Sequence, residues 1–339
     1  MNQKYSFTFL LLLVLNPLLA QVGVVPLDEY EDFKKRTLVV IVEEPQAKLL
    51  SKLAPEQQNI YKTEIEDYNQ LVKWAMDTYY KVGNPVQYML RSEVEPLIEK
   101  QDRSITYLEY TKFSDNYITK ASFDLVQKNR FAKEQNRLTG ALSLNSIVSL
   151  IEIRFPEVPD DGLPFYGQYL PDPFPDKADM AYAFKQIAAT FDYREAGITY
   201  DKVEKLSREN AKKLQTLTLL IAEDDLDANE DRGKFMDAYK FPKEIVSREK
   251  IREAILSSDS KYACVLSVPQ YDTRTEEVKF QFQAVECEKG ITLVVSEPQD
   301  KAGISAGPMV ALKSLKKATD SKLPPVRKEN LWDFERFAR

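Results

Sequence analysis

The 339-residue chain contains no histidine, and this absence removes several chemistries at once. Catalytic relays of serine or cysteine with histidine, histidine-ligated zinc and the commonest general base all need an imidazole. Glycine is scarce, with ten residues, and neither a GxGxxG nor a GxxxxGK[ST] sequence occurs. The loops that cradle nucleotide phosphates are therefore missing. From these absences we expect no cofactor and no metal site.

Excess positive charge is also lacking. The formal net charge is −6, and acidic and basic residues are interspersed along the chain. A weakly acidic surface does not attract phosphate over long range, so we expect no nucleic acid partner. The hydrophobic content of 43% is sufficient for packed cores, and the length is typical of two domains.

Long apolar runs are confined to the N-terminus. Residues 1–20 have a basic start, an apolar segment at 7–15 and a helix-breaking pair, Asn16 and Pro17. This order is typical of a secretory signal peptide, whose cleavage would leave Gln21 as the first residue. No later segment approaches the roughly 18 apolar residues of a membrane-spanning helix. The sequence therefore predicts an exported protein, periplasmic or extracellular, without a transmembrane segment.

Two parts of the chain show the same order of predicted elements. Each begins with β-branched apolar residues that end in acids, at 37–44 and at 217–224. Such runs are typical of buried strands. The sequence predicts a mixed α/β (α+β) fold of two tandem β-α-β-α-β-β-β-α modules, over 30–197 and 198–322. The second includes a connecting helix, and duplication of one module would explain the pattern.

The proposed equivalences run strand by strand. Strands at 105–110 and 262–267 are expected to return through 117–125 and 278–284. A fourth strand, at 147–155 and at 291–297, leads in each copy to the tripeptide Asp-Lys-Ala, at 176–178 and 300–302. We expect each tripeptide to introduce a closing helix.

The order of elements in each module resembles the N-terminal domain of TolB-type periplasmic proteins and related curli-secretion lipoproteins. The resemblance lies in 37–44 with 105–110 and in 217–224 with 262–282. It rests on the order of the elements and on no signature motif. It implies an envelope protein that works by contacting other proteins, and it carries over no catalytic residue.

Two cysteines, Cys264 and Cys287, fall on strands that we expect to form a hairpin. In an oxidising compartment they could form a disulfide, and the alternative is a pair of buried apolar thiols. A slip of one residue in the hairpin register reverses the faces that the side chains occupy. The sequence therefore leaves both states open.

Aromatic residues mark two candidate surfaces for a ligand or a partner. One is the proline-rich stretch 156–175, where aromatic rings next to aspartates suit a sugar or a peptide. The other is the C-terminal tail, 323–339. The candidate binding residues are Phe165, Tyr166, Tyr169, Phe174, Trp332 and Phe334. In both places the alternative is packing onto the protein's own core.

Carboxylates at predicted strand ends are the remaining candidates for catalysis. Glu43 and Glu44 end one strand, and Glu223 and Asp224 end its counterpart. Ligands bind at this edge in open α/β sheets, but such acids also serve as solvated strand terminators. The sequence favours an exported, non-enzymatic envelope protein that binds another protein. A carbohydrate- or peptide-binding protein and a carboxylate-based hydrolase are the alternatives.

Overall fold

The computed structural model describes residues 25–45, 47–51, 53–114, 117–121, 147–159, 163–172, 175–198, 200–226, 231–272, 277–296 and 325–339. The predicted signal peptide, Phe174 and the second Asp-Lys-Ala tripeptide lie outside these residues.

Helices and strands alternate along both halves, which confirms the mixed α/β class. The first half contains α1 (Leu27–Phe33), β1 (Thr37–Val42), α2 (Ala47–Leu50), α3 (Pro55–Tyr79), β2 (Val86–Leu90), α4 (Arg91–Glu99), β3 (Ile105–Ser114), β4 (Tyr117–Ala121), β5 (Ile147–Arg154), β6 (Tyr166–Tyr169) and α5 (Lys177–Glu195). The second half contains α6 (Tyr200–Ala211), β7 (Thr218–Ala222), α7 (Arg232–Asp237), β8 (Lys243–Val246), α8 (Arg248–Leu256), β9 (Tyr262–Asp272), β10 (Glu277–Glu286), β11 (Thr292–Val295) and α9 (Lys328–Ala338). None of the helices described here has the length and apolar content of a membrane span.

Each half builds one mixed sheet, and the two sheets have the same strand order. The order is β2-β1-β3-β5-β6 in the first half and β8-β7-β9-β10-β11 in the second. In both sheets, the first three strands pair with each other in parallel, and the next two pairings in the order are antiparallel. Strand β4 is an addition that pairs with the end of β3.

The register of the parallel strands also agrees between the halves. Leu38 donates its N–H to the carbonyl of Pro85 at 2.8 Å, and Leu219 donates to that of Pro242 at 2.9 Å. The crossover helices α4 and α8 both span nine residues. Duplication of one module would produce this agreement, and the duplication itself stays a prediction.

The ends of the two crossover helices repeat an unusual backbone conformation. Gln101 after α4 has a φ of 53°, and Ser258 after α8 has a φ of 54°. A left-handed residue at this point lets the following N–H groups bond to the last carbonyls of the helix. Accordingly, Asp102 donates to the carbonyl of Leu97 at 3.0 Å. Equivalent helices therefore end in the same way.

Two predicted equivalences are wrong: that of 117–125 with 278–284, and that of 147–155 with 291–297. The sequence predicts that 105–110 returns through 117–125, but β4 pairs only with the end of β3. Strand β5 instead runs along β3 over eight residue pairs, as β10 runs along β9. Strand β6, which pairs with β5, lies inside the stretch 156–175, whose composition indicates a loop. Strand patterns alone do not show which later strand is the neighbour.

Helix α5 is shared by the two halves. Its Met180 and Phe184 pack with α1 and α3 against the first sheet. Its opposite side carries Ala181 and Tyr182, which pack against α8 and the second sheet. The Tyr182 hydroxyl donates to Oε1 of Gln283 at 2.9 Å. Because α5 buries side chains on both sides, it joins the two cores.

The C-terminal tail forms α9 and packs on the second core. Leu331, Phe334 and Ala338 are fully buried on one side of this helix. Trp332 and Phe337 on the other side are 52% and 46% exposed. The tail therefore contributes to the core of its own module and still presents two aromatic rings to solvent.

Candidate functional site

Strand β2 forms one edge of the first sheet. Because Pro85 accepts a hydrogen bond from β1, the alternation of a parallel ladder turns the backbone groups of Val86 and Tyr88 away from β1. Val86 and Leu90 are each 39% exposed. The strand, Val-Gln-Tyr-Met-Leu, contains no charged residue. Within the described part of the chain, it therefore presents backbone groups without a strand partner beside an apolar surface.

The equivalent edge of the second sheet is different. Strand β8 has the sequence Lys-Glu-Ile-Val, so Lys243 and Glu244 take the places of Val86 and Gln87. Charged side chains on an edge strand discourage pairing with another chain. The first module lacks this protection, and β2 is therefore suited to accept an added strand.

An open groove of about 640 Å³ lies beside β2, between α3 and the end of β1. Its lining includes Ile65, Lys62 and Lys73 from α3 and Tyr88 from β2. The Lys73 ammonium lies 5.7 Å from the centre of the Tyr88 ring. Burial and the neighbouring carboxylate of Asp77 raise the pKa of Tyr88 to about 12. The groove thus combines an apolar floor with charges of both signs, since Glu43 and Glu66 also line it.

The loop after β1 is fixed to the wall of this groove. Glu43 donates its N–H to Oδ1 of Asn69 at 2.9 Å and accepts from Nδ2 of Asn69 at 3.0 Å. The Glu43 carboxylate also bonds to Arg91 at 2.7 Å, and Glu109 bonds to Arg91 at 3.3 Å. Burial lowers the pKa of Arg91, but its bonds to Glu43 and Glu109 outweigh that effect and raise it. The groove is therefore preformed.

The second module has a similar ion pair one position further along the chain, and a segment near its C-terminus pairs with the residue equivalent to Pro45. Arg248, the first residue of α8, bonds to Asp225 after β7. Burial raises the pKa of Asp225, and Arg248 opposes this shift only in part. Leu226, the equivalent of Pro45 in the groove, forms a β-bridge with Val326. A segment of the chain itself thus occupies the place that is open in the first module.

Three of the four strand-end acids have a partner in the described residues. Glu43 pairs with Arg91, Glu44 accepts a hydrogen bond from the Ser92 hydroxyl at 2.7 Å, and Glu223 lies 2.7 Å from Arg232. A glycosidase needs two acids that face each other across a cleft. These contacts give Glu43, Glu44 and Glu223 a structural role.

A buried pair of carboxylates was missed from the sequence. Glu109 and Glu152 lie directly opposite each other on β3 and β5 and are 2% and 4% exposed. Each has a cation beside it: Arg91 for Glu109, and Arg154 at 3.3 Å for Glu152. The hydroxyl of Thr111 also donates to Glu152 at 2.8 Å. Polar residues at alternating positions in otherwise apolar strands were the signal for this cluster.

The aromatic candidates do not form one surface. Phe165 and Tyr166 are buried in the first core, where the Phe165 ring lies 4.9 Å from that of Phe33. Tyr169 is half-buried against the second module. Phe334 lies in the second core, and Phe174 lies outside the described residues. Of the six candidates, only Trp332 is described as exposed.

Cys264 and Cys287 are free and buried. Cys264 is paired with Val285, whereas Cys287 donates its N–H to Tyr262, so the cysteines are diagonal neighbours. Diagonal Cα atoms lie about 7–8 Å apart, beyond the usual disulfide limit of about 6.8 Å. A hydrogen bond to Cys287, together with burial, raises the pKa of the Cys264 thiol. The structure thus contains the pair of buried thiols.

Within the described ranges, no three acidic or cysteine side chains are grouped to hold a metal ion. Comparisons of the chain with protein-family models, curated proteins and solved structures return no match. The geometry of β2 and its groove is therefore the basis for assigning a function.

Proposed function

We propose that the protein acts by binding another protein and that it receives an extended segment of this partner along β2. The observation that carries the proposal is the uncharged edge strand with its outward backbone groups at Val86 and Tyr88. An added strand would gain main-chain hydrogen bonds there, and its alternate side chains would reach the groove.

The groove favours a segment with apolar and charged residues. Tyr88 and Ile65 offer apolar contact, and Lys62 and Lys73 supply positive charge. The Glu43 carboxylate in the same groove is compensated by Arg91. Glu66 also lines the groove beside the two lysines, so a partner segment with side chains of both signs would meet opposite charges there.

Export of the protein is part of this proposal, and it rests on residues 1–20. We expect the protein isolated from its own host to begin at or close to Gln21, because signal peptidase cleaves after a small residue such as Ala20. N-terminal sequencing of that protein is the measurement. A retained Met1 would contradict export through this segment.

Photo-crosslinking tests the binding site whatever the identity of the partner. A photoreactive residue at Gln87 should form a discrete adduct in the native host, because this position lies in the exposed edge strand. The same residue at Glu244, the equivalent position of β8, is the matched control. We expect an adduct at position 87 and none at position 244.

A proline substitution distinguishes strand addition from other contacts at this edge. Val86→Pro removes an outward N–H and leaves the bonds to β1 in place, so it should abolish the adduct formed at Gln87. Lys243→Pro makes the equivalent change in β8 and should leave the adduct intact. Equal adduct yields in both proline variants would refute binding by strand addition.

A further inference from the structure

Helix α5 shows how one module of this chain holds the next. Asp176, at its N-terminus, forms an ion pair of 2.6 Å with Arg252 of α8. The buried Lys185 donates to the carbonyls of Ile255, at 2.6 Å, and Cys287, at 2.7 Å. Two polar anchors, nine residues apart, thus flank the apolar contact around Ala181.

Helix α9 packs on the second core as α5 packs on the first, although the sequence predicts the counterpart of α5 after residues 300–302, which lie outside the described residues. It begins with the same type of bond, from the N–H of Arg327 to Oδ1 of Asn330 at 2.8 Å, as α5 does from Asp176 to Asp179. Its buried side also matches. When the two starts are aligned, the core residues Met180, Ala183 and Ile187 of α5 correspond to Leu331, Phe334 and Ala338 of α9.

The same alignment identifies the outer side of α9. Trp332 takes the place of Ala181, and Arg336 takes the place of Lys185. In α5 these positions are buried against the second module, whereas in α9 Trp332 is 52% exposed and Arg336 is also exposed. Helix α9 therefore presents to solvent the face that α5 uses to hold a module.

Helix α4 of the first module offers the matching receptor. It is the counterpart of α8, whose Ala254 and Ile255 are buried beneath α5. The equivalent Leu97 and Ile98 of α4 are only half-buried. Exposed apolar surface at this position is what an α4 without its α5-like partner would show.

We propose that α9 of one copy of the chain packs on α4 of a second copy, in the way that α5 packs on α8 within each copy. The charges at the ends of the two contacts are complementary. Asp176 and Arg252 of the internal contact correspond to Arg327 of α9 and Glu95 of α4, both of which are exposed. The signs are exchanged, so the attraction is retained.

The second polar anchor keeps its positive charge. Arg336, at the position of Lys185, would reach the last carbonyls of α4, where a cation is favoured. Beside α4, Asp333 and Glu152 take the places of Tyr182 and Gln283; both are carboxylates, and each has its own cation, Arg336 and Arg154. The contact therefore centres on Trp332 against Leu97 and Ile98.

The contact joins two different surfaces, so it is heterologous and repeats from copy to copy. Such an interface produces a closed ring or an open filament, depending on the rotation between copies. This contact lies apart from the groove beside β2, so a test of self-association does not decide the proposed function.

Sedimentation velocity of the purified full chain, from about 1 µM to about 1 mM, tests this proposal over the range of weak interfaces. We expect concentration-dependent association that Trp332→Ala weakens by about tenfold or more, because a central tryptophan dominates such contacts. Leu163→Ala, at a site 89% exposed and outside the contact, is the control. A chain that stays monomeric throughout overturns the proposal.

A mixing experiment tests the direction of the contact. Arg327→Asp and Glu95→Arg should each abolish self-association, because each places like charges opposite each other. An equimolar mixture of the two variants should associate again, since it recreates both the Asp–Arg and the Arg–Glu pairs. Variants that associate as well as the unmodified chain, or a mixture that stays monomeric, overturn the proposal.

Discussion

Alkaline pH is expected to unfold this protein steeply, beginning close to pH 10. Burial is the main cause that raises the pKa of a set of tyrosines above the usual value of 10.0. The fully enclosed members are Tyr68, Tyr110, Tyr166 and Tyr182. In the unfolded chain these phenols ionise near pH 10, whereas in the folded chain they keep their protons. Stability is therefore complete below pH 10 and falls as the pH rises above it.

The size of this effect follows from the number of enclosed phenols. Each phenol lowers the free energy of unfolding by about 1.4 kcal/mol for every pH unit between its pKa in the unfolded state and its pKa in the folded state. Four such groups act together, and a typical domain is stable by only about 5–15 kcal/mol. We therefore expect unfolding to be complete within about two to three pH units above pH 10.

Lys185 changes the stability in the opposite direction as the pH rises, but it is only one group. Burial lowers the pKa of its ammonium from the usual 10.5. Between the lowered pKa and 10.5 the unfolded chain binds more protons than the folded one, so in that window stability increases with pH. One lysine cannot offset four tyrosines, and its contribution ends near pH 10.5.

Phenolate absorbance and near-ultraviolet circular dichroism, recorded in one titration, measure the expected transition. The enclosed phenols should ionise together with the loss of tertiary structure. Tyr68→Phe should make the alkaline loss less steep, because it removes one of the titrating groups. Ionisation of all the tyrosines near pH 10, with the dichroism unchanged, would contradict the burial of these four side chains.

The strands were predictable where apolar residues run together. The runs at 37–44 and 217–224 become β1 and β7. These elements follow from local periodicity, which a single sequence carries. The neighbour of β3 was not predictable, because both β4 and β5 have suitable patterns and only tertiary packing selects between them.

The candidate site depended on information that is not local. The place of β2 at the edge follows from the order of the whole sheet. Phe165 and Tyr166 have the composition of a binding loop, yet they face the first core because β6 pairs with β5. Aromatic content alone does not distinguish a ligand platform from a core residue.

The C-terminal helix is expected to be essential for stability through one side chain. Phe334 is fully buried in the second core, beside Leu331 and Ala338. Replacement of a buried phenylalanine by alanine costs about 3–5 kcal/mol, because it loses apolar burial and leaves a cavity. For Phe334→Ala we expect a fall in melting temperature on the order of 10 °C, measured by thermal denaturation.

Phe337 supplies a control of the same residue type in the same helix. It is 46% exposed, so Phe337→Ala should change the free energy of unfolding by less than about 1 kcal/mol. The difference between the two variants isolates core packing from helix propensity, since both make the same replacement within α9. If Phe334→Ala melts at the same temperature as Phe337→Ala, α9 does not belong to the second core. The correspondence between α9 and α5 would then fail, because it requires the buried side of α9 to pack as that of α5 does.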